Sequence, residues 1–300
     1  MFLTRPRSEL FIGITSWNSA YFLGHCLDAA MRTTSDVDVR IVVLDNRSTD
    51  ASPRLVRERD VELVTMACGQ GDALNELLRR ANSPYVLLLH ADVILLSPHW
   101  FALCRSKLTR DVALVSPEDI GCGPLTRPFG KDKPESSFLF FQSQHLPRLR
   151  TVRHRRIGPL TIRHRSVDFY GPHITHRLPE QITDIGLTWQ PMRVHYSAVR
   201  DQPVHPRPSL PGVWTDELRY LVYGLGNFYS LDGIITHYHN WYDRMQKTVA
   251  SQSPRKATNR NTDFPLDYIK AYSDHFLKDY RSGQLDLPAM EVGPREPKAL

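Results

Sequence analysis

The sequence is poor in cysteine, in lysine and in long apolar runs. Four cysteines occur in 300 residues, at positions 26, 68, 104 and 122, and none forms a C-x-x-C pair. That spacing excludes a Cys-rich zinc site and a disulfide framework. Reduced thiols in a cytoplasmic protein are the expectation. The longest apolar stretch, Tyr85 to Leu96, is interrupted by His90 and Asp92, and a bilayer span needs about 20 apolar residues. Met1 to Arg7 has no long apolar core behind a basic head, so no secretory signal is expected. Internal repeats are absent as well. Lysine is the scarcer cation: 8 Lys stand against 30 Arg, with a net charge of +6. Arginine is the better fork for phosphate and carboxylate, so either an anionic ligand or a solvated basic surface is implied. A 41% hydrophobic and 23% charged composition excludes a disordered chain or a collagen-like fibre.

The first 116 residues alternate strand and helix signals. Leu10 to Thr15, Val39 to Leu44, Val61 to Thr65, Tyr85 to Leu89 and Val112 to Val115 are apolar or β-branched runs read as strands. Between them, helices are expected over 20–33, capped by Asn18 or Ser19, from Ser48-Thr49-Asp50 to about Arg59, from Asp72 as cap to about Ala81, and from Ser97-Pro98 onward. Strands joined by helical crossovers predict an α/β fold with a mostly parallel sheet. Beyond Pro117 the pattern loosens. Residues 117–135 are rich in Gly and Pro, Ser137 to Phe141 reads as a strand, and prolines at 203, 206, 208 and 211 suggest an extended linker. Trp214 to Tyr223 reads as a helix, Gly233 to His237 as a strand and Phe264 to Tyr280 as a helix ahead of a loose tail.

In an open parallel sheet, ligands sit outside the carboxyl ends of the strands. Asp45 follows Ile41 to Leu44, and Asp92 closely follows Val86 to His90. The two carboxylates would face one crevice. One could accept hydrogen bonds from a base or ribose, and the other could hold a divalent cation on a diphosphate. Alternatively both aspartates simply begin turns.

Phe11-Ile-Gly-Ile-Thr-Ser-Trp-Asn18 and Val42-Val-Leu-Asp-Asn-Arg-Ser-Thr-Asp-Ala-Ser52, followed by Gly71-Asp-Ala-Leu-Asn75 and Tyr85-Val-Leu-Leu-Leu-His-Ala-Asp-Val93, resemble in order the elements of family 2 glycosyltransferases of the GT-A fold. The resemblance covers residues 10–116. It implies a Rossmann-like nucleotide-sugar-binding half (1–116), a loop-rich acceptor half of the same domain (117–250) and a helical C-terminal extension (251–300). Thr15 and Ser16 would line the nucleotide pocket and Asp45 would bind base or ribose. Asp72 would lie near the base or merely cap its helix. Asp92 matches the last Asp of the family's Asp-x-Asp motif and would reach the metal, Mn²⁺ or Mg²⁺, and the diphosphate. His90 stands where the first Asp belongs, so it could bond the sugar or a phosphate instead. Ile235-Thr-His-Tyr-His-Asn-Trp241 resembles the family's late histidine segment, placing His237 or His239 against the metal; the other reading is a buried, satisfied histidine.

An inverting transferase needs a carboxylate to take the acceptor proton. The first candidate is Asp184, in Gln181-Ile-Thr-Asp-Ile-Gly186, with Glu180, Asp216 and Glu217 as rivals and a helix or turn cap as the plain alternative. Residues 147–165 hold seven arginines and no acidic residue. They form either a solvated loop or a surface for an anionic acceptor, a nucleic-acid backbone or the inner face of a membrane. The expected activity is transfer of a sugar from a nucleotide donor to a hydroxyl acceptor. Its competitors are a non-catalytic nucleotide- or nucleic-acid-binding module, supported by the missing carboxylate at His90, and a metallohydrolase built on His237-x-His239 with Asp243.

Overall fold

The computed structural model describes residues 8–118, 133–149, 153–157, 160–164, 175, 178–196, 222–223, 226–240 and 266–288. The chain runs β1 (Leu10–Ser16), α1 (Ala20–Thr33), β2 (Val39–Asp45), α2 (Ser52–Arg57), β3 (Glu62–Thr65), α3 (Gln70–Arg80), β4 (Tyr85–His90), β5 (Val93–Leu95), α4 (Trp100–Lys107), β6 (Val112–Pro117) and β7 (Phe138–Gln142). A 3₁₀ turn (Ser143–Arg148) leads to β8 (Arg153–Ile157) and β9 (Leu160–His164), then α5 (Leu178–Asp184), β10 (Thr188–Tyr196), β11 (Asn227–Leu231), β12 (Ile234–His239) and a last helix, α6 (Leu266–Ser282).

Ten strands form one sheet in the order β3-β2-β1-β4-β7-β6-β10-β11-β12-β5. The first four are parallel, as the alternating pattern predicts. Beyond them the sheet is mixed: β7 runs antiparallel between β4 and β6, and β11, β12 and β5 pair antiparallel. The central strands are buried on both faces, which is why they read as continuous apolar runs rather than alternating ones. Leu10, Ile12 and Ile14 of β1 pack with α1, whereas Phe11 packs with Leu74 and Leu77 of α3. Gly13 is the close-approach point between them. A Cβ there would lie 3.1 Å from Leu77 Cβ and 3.0 Å from Leu88 Cδ2.

The sheet folds back on itself. Only Ala91 and Asp92 separate β4 from β5, so their facing ends lie at most ~11 Å apart, yet β5 is the far edge strand of the sheet order. The strands from β7 to β12 therefore curl until β12 stands over β7, where the rings of Phe138 and His237 stack at 4.5 Å. Asn240 N–H donates to the Asp92 carbonyl at 3.0 Å, and His90 N–H to the Ser137 carbonyl at 3.0 Å, closing this seam.

Several expectations change. Helix α2 begins at Ser52, because Ser48, Thr49 and Asp50 spend their side chains bracing a loop. Helix α3 begins at Gln70 with Gly69 as its cap, so Asp72 is a first-turn residue and not the cap. Its carboxylate there still favours the helix dipole. Within 147–165 the backbone forms the antiparallel β8–β9 pair, from Arg153↔His164 to Ile157↔Leu160, in place of a loop. Strands β5, β10 and β11 had no sequence counterpart. Helix α6 lies where the 264–280 spacing predicts, and Phe276 and Leu277 enter the core beside Phe228 and Tyr238. The 201–212 linker and most of the 214–223 helix lie outside the described residues.

Candidate active site

Two constellations stand at the carboxyl ends of the parallel strands. The first is a corner made by residues 16–20 and 45–52. Ser16 and Asp45 are directly paired across β1 and β2. Asp45 is buried, and its carboxylate accepts Ser48 N–H at 2.8 Å and Ser48 Oγ–H at 2.5 Å. This turn puts Arg47 at φ 52° and leads the chain to Asn18, itself at φ 48°. Asn18 N–H donates to Ser48 Oγ at 2.7 Å, and Asn18 Oδ1 accepts Thr49 N–H at 2.8 Å. Asp50 accepts Ala20 N–H, the first amide of α1, at 2.9 Å. Ser52 Oγ accepts Ser19 N–H at 2.9 Å. The run from Asp45 to Ser52 thus does the capping of α1, whose N-cap residue is Ser19 and makes no side-chain cap bond. Thr15 Oγ1 reaches the Leu89 carbonyl at 3.5 Å. Ser16 Oγ is buried with no hydrogen-bond partner among the described residues, which leaves one polar group facing Asp45 for a ligand.

The second constellation sits on the seam. His90 ends β4, Asp92 occupies the two-residue link to β5, and His239 ends β12 opposite Val93. One donor atom from each lies within 4.8 Å of the others. Metal bonds of 2.0–2.2 Å place opposed ligands about 4.2 Å apart, so the three are spaced for a single divalent cation. His239 Nε2 lies 3.4 Å from Asp92 Oδ1, and Nδ1 lies 3.0 Å from Glu135 Oε1. Glu135 is held in turn: Tyr229 Oη–H donates to its Oε2 at 2.7 Å, and its own N–H donates to the Pro117 carbonyl at 2.8 Å. Burial alone would lower the pKa of His239. The Asp92 and Glu135 carboxylates outweigh burial and raise it to about 10. A cation at Nε2 would take the place of that proton. Gln70, at the start of α3, meets His90 with 2.6 Å between Nε2 atoms, and the His90 and His239 rings are 5.8 Å apart, edge to face.

The structure brings His90, Asp92 and His239 together, with Asp45, Thr15 and Ser16 along the same edge. His237 does not join them. It is fully buried, stacked between Phe138 and Tyr229, with Nδ1 2.9 Å from Thr236 Oγ1. Burial first, and the charge of His239 second, hold it well below its ordinary pKa, so it stays neutral. Asp184 is also remote. It is the exposed last residue of α5, and Leu187 N–H donates to the Ile182 carbonyl while Gly186, at φ 74°, donates to that of Thr183. That is a Schellman stop, so Asp184-Ile-Gly186 reads as a helix ending. The next strand begins at Thr188, level with Val112 at the amino end of β6. Six-residue β6 separates that level from the site edge by roughly 17 Å. Glu180, in the first turn of α5, is nearer the site edge, since Leu178 N–H reaches Thr175, which bonds the Pro134 carbonyl beside Glu118. Asp216, Glu217 and Asp243 lie outside the described residues. Sequence reading missed Glu135, Tyr229 and Gln70; the only signal for Glu135 was an acidic residue just before an apolar strand.

The sequence model of glycosyl transferase family 2 matches residues 11–169, just over half of the chain. No curated protein matches. Similar solved structures include S. aureus TarS 1-349 in complex with UDP-GlcNAc, at 17% identity and TM-score 0.36, covering 46% of each chain. Another is glucosyl-3-phosphoglycerate synthase from Mycobacterium tuberculosis in complex with Mn²⁺, UDP and glucosyl-3-phosphoglycerate, at 16% identity and TM-score 0.41, covering 60% of this chain and 67% of that one. The chain thus spans about half the length of the TarS fragment. With its α/β architecture and the extent of the family match, the chain belongs to glycosyl transferase family 2.

Proposed function

We propose that the protein transfers a sugar from a nucleoside-diphosphate donor to a hydroxyl acceptor, with inversion at the anomeric carbon. The observation that carries this reading is a cation-spaced trio, His90, Asp92 and His239, at the same sheet edge as the Asp45 corner. Asp45 and the Ser16 hydroxyl, which has no partner among the described residues, would receive the nucleoside. A divalent cation, Mn²⁺ or Mg²⁺, held by the trio would neutralise charge on the diphosphate as it leaves. Glu135 and Tyr229 would orient His239. For the proton of the acceptor hydroxyl, the better-placed carboxylate is Glu180. The arginines of 147–165 favour an acceptor or docking surface of negative charge. The buried free thiols Cys26 and Cys104 accord with a cytoplasmic setting.

A panel of nucleotide sugars read by thermal shift, followed by donor hydrolysis with Mn²⁺ or Mg²⁺, tests the reading. One donor should stabilise the fold and be hydrolysed slowly. Binding without turnover on any hydroxyl acceptor would make the chain a nucleotide-binding module. Failure of every nucleotide sugar to bind would reject the reading.

A further inference from the structure

His90 changes the chemistry of the cation site. We infer that this site, two imidazoles with one carboxylate, selects Mn²⁺ and the later first-row ions Co²⁺ and Zn²⁺ and discriminates against Mg²⁺. The inference rests on the transferase reading only for what fills the remaining coordination positions, namely diphosphate oxygens.

Mg²⁺ is a hard cation that takes oxygen ligands in near-ideal octahedral geometry and gives up its water reluctantly. Imidazole nitrogen suits Mn²⁺ weakly and Co²⁺ and Zn²⁺ better, following the ordinary affinity series. The trio offers Mg²⁺ one carboxylate, from Asp92, and two nitrogens, from His90 and His239. Glu135 does not restore an oxygen ligand. Its Oε1 is on the far nitrogen of His239, 3.0 Å from Nδ1, and its Oε2 is taken by Tyr229 at 2.7 Å. A carboxylate on the second nitrogen of a histidine fixes the tautomer and raises the ligand's basicity. That arrangement strengthens a nitrogen ligand, so it widens the gap between the ions. Asp92 and His239 are buried, 7% and 3% exposed, while His90 is half-buried at the open side of the site.

The test is metal binding to the full chain, read without turnover. Free Mn²⁺ is counted by electron paramagnetic resonance as Mg²⁺ or Co²⁺ competes. Pulsed measurements count the imidazole nitrogens on bound Mn²⁺. The wild type should hold Mn²⁺ about tenfold or more tighter than Mg²⁺, with Co²⁺ tighter still, and with two imidazoles on the ion. His90→Asp should lower the Mn²⁺-to-Mg²⁺ ratio by about tenfold and leave one imidazole. Should circular dichroism show that variant unfolded, His90→Asn carries the same nitrogen count. Equal Mn²⁺ and Mg²⁺ affinity in the wild type, an unchanged ratio or nitrogen count in the folded variant, or no metal binding would each overturn the inference. UDP binding in chelator, read by thermal shift, keeps the two readings apart: a nucleotide that binds while the metal preference fails removes the inference alone. Metal preference without any nucleotide binding supports the site and counts against the transferase.

Discussion

Around Asp45, the polar side chains of residues 45–52 bond mostly to main-chain amides of two adjacent loops. Around His239, by contrast, three acid and imidazole groups from distant segments, the end of β12, the β4–β5 link and the residues before β7, meet in a buried seam, with charge opposing charge. The corner is local, neutral in its donors and redundant. The seam is long-range and charged, and each member depends on the others. A hydrogen bond of the first kind contributes about 1 kcal/mol net. Removing one partner of a buried charge pair costs about 3–5 kcal/mol, because the other charge is left uncompensated. The two regions should therefore respond very differently to single substitutions.

The seam should break first. Asp92→Asn removes the only carboxylate of the cation trio, and a bound metal is worth several kcal/mol to a developing charge. Donor turnover should fall on the order of 10³-fold, with cation binding lost by calorimetry. A folded Asp92→Asn that keeps full turnover would show that the seam does not work through a metal. Glu135→Gln comes next. The amide can still meet Nδ1 but cannot supply the charge, and loss of such an outer partner typically weakens a metal site by about 10–100-fold. Calorimetry should find that loss in the cation with nucleotide affinity nearly unchanged.

The corner should bend instead. Asp45→Ala leaves Ser48 N–H and Oγ–H without their acceptor and takes away the proposed nucleoside contact. Nucleotide affinity should drop roughly tenfold, near the lower end of the range for an unmet buried partner. Ser48→Ala should cost less, since Asn18 and Thr49 still brace the loop. If Asp45→Ala collapsed the fold while Asp92→Asn did not, the contrast would be inverted.

The same contrast explains what could be read from the sequence. The corner was legible because its bonds join residues a few positions apart, or across one strand–helix unit, so spacing encodes them. Asp92 was legible because it ends an apolar run. The seam partners were not. Glu135 and His239 are 104 residues apart, and only the curling of the sheet brings β7 beneath β12. Strand β10 was invisible for a related reason. Thr188 to Tyr196 mixes Gln, Arg and His with apolar residues, because Trp189 and Met192 enter different cores while His195 bonds Ser230 on the neighbouring strand. Neither simple period survives that use.

The smallest effect is expected at Asp184, the first candidate for the acceptor base. Asp184 closes α5 at the amino end of the sheet, and its near neighbour Gly186 is accounted for by the left-handed φ that the helix stop requires. The carboxylate is exposed there, and no residue of the corner or the seam shares that edge. Exposed substitutions away from such features usually change free energy by no more than about 0.5 kcal/mol. Asp184→Asn should therefore keep the transfer rate within about twofold in single-turnover assays with saturating donor. Glu180→Gln, one helical turn earlier and toward the site edge, should lower that rate by the 10²–10⁴-fold typical of a lost general base, with donor binding intact. Saturating donor makes the comparison clean, because it separates the chemical step from binding and release. A collapse of Asp184→Asn with Glu180→Gln unaffected would require the acceptor to approach from the amino edge. The placement of the reaction beside Asp92 would then be wrong.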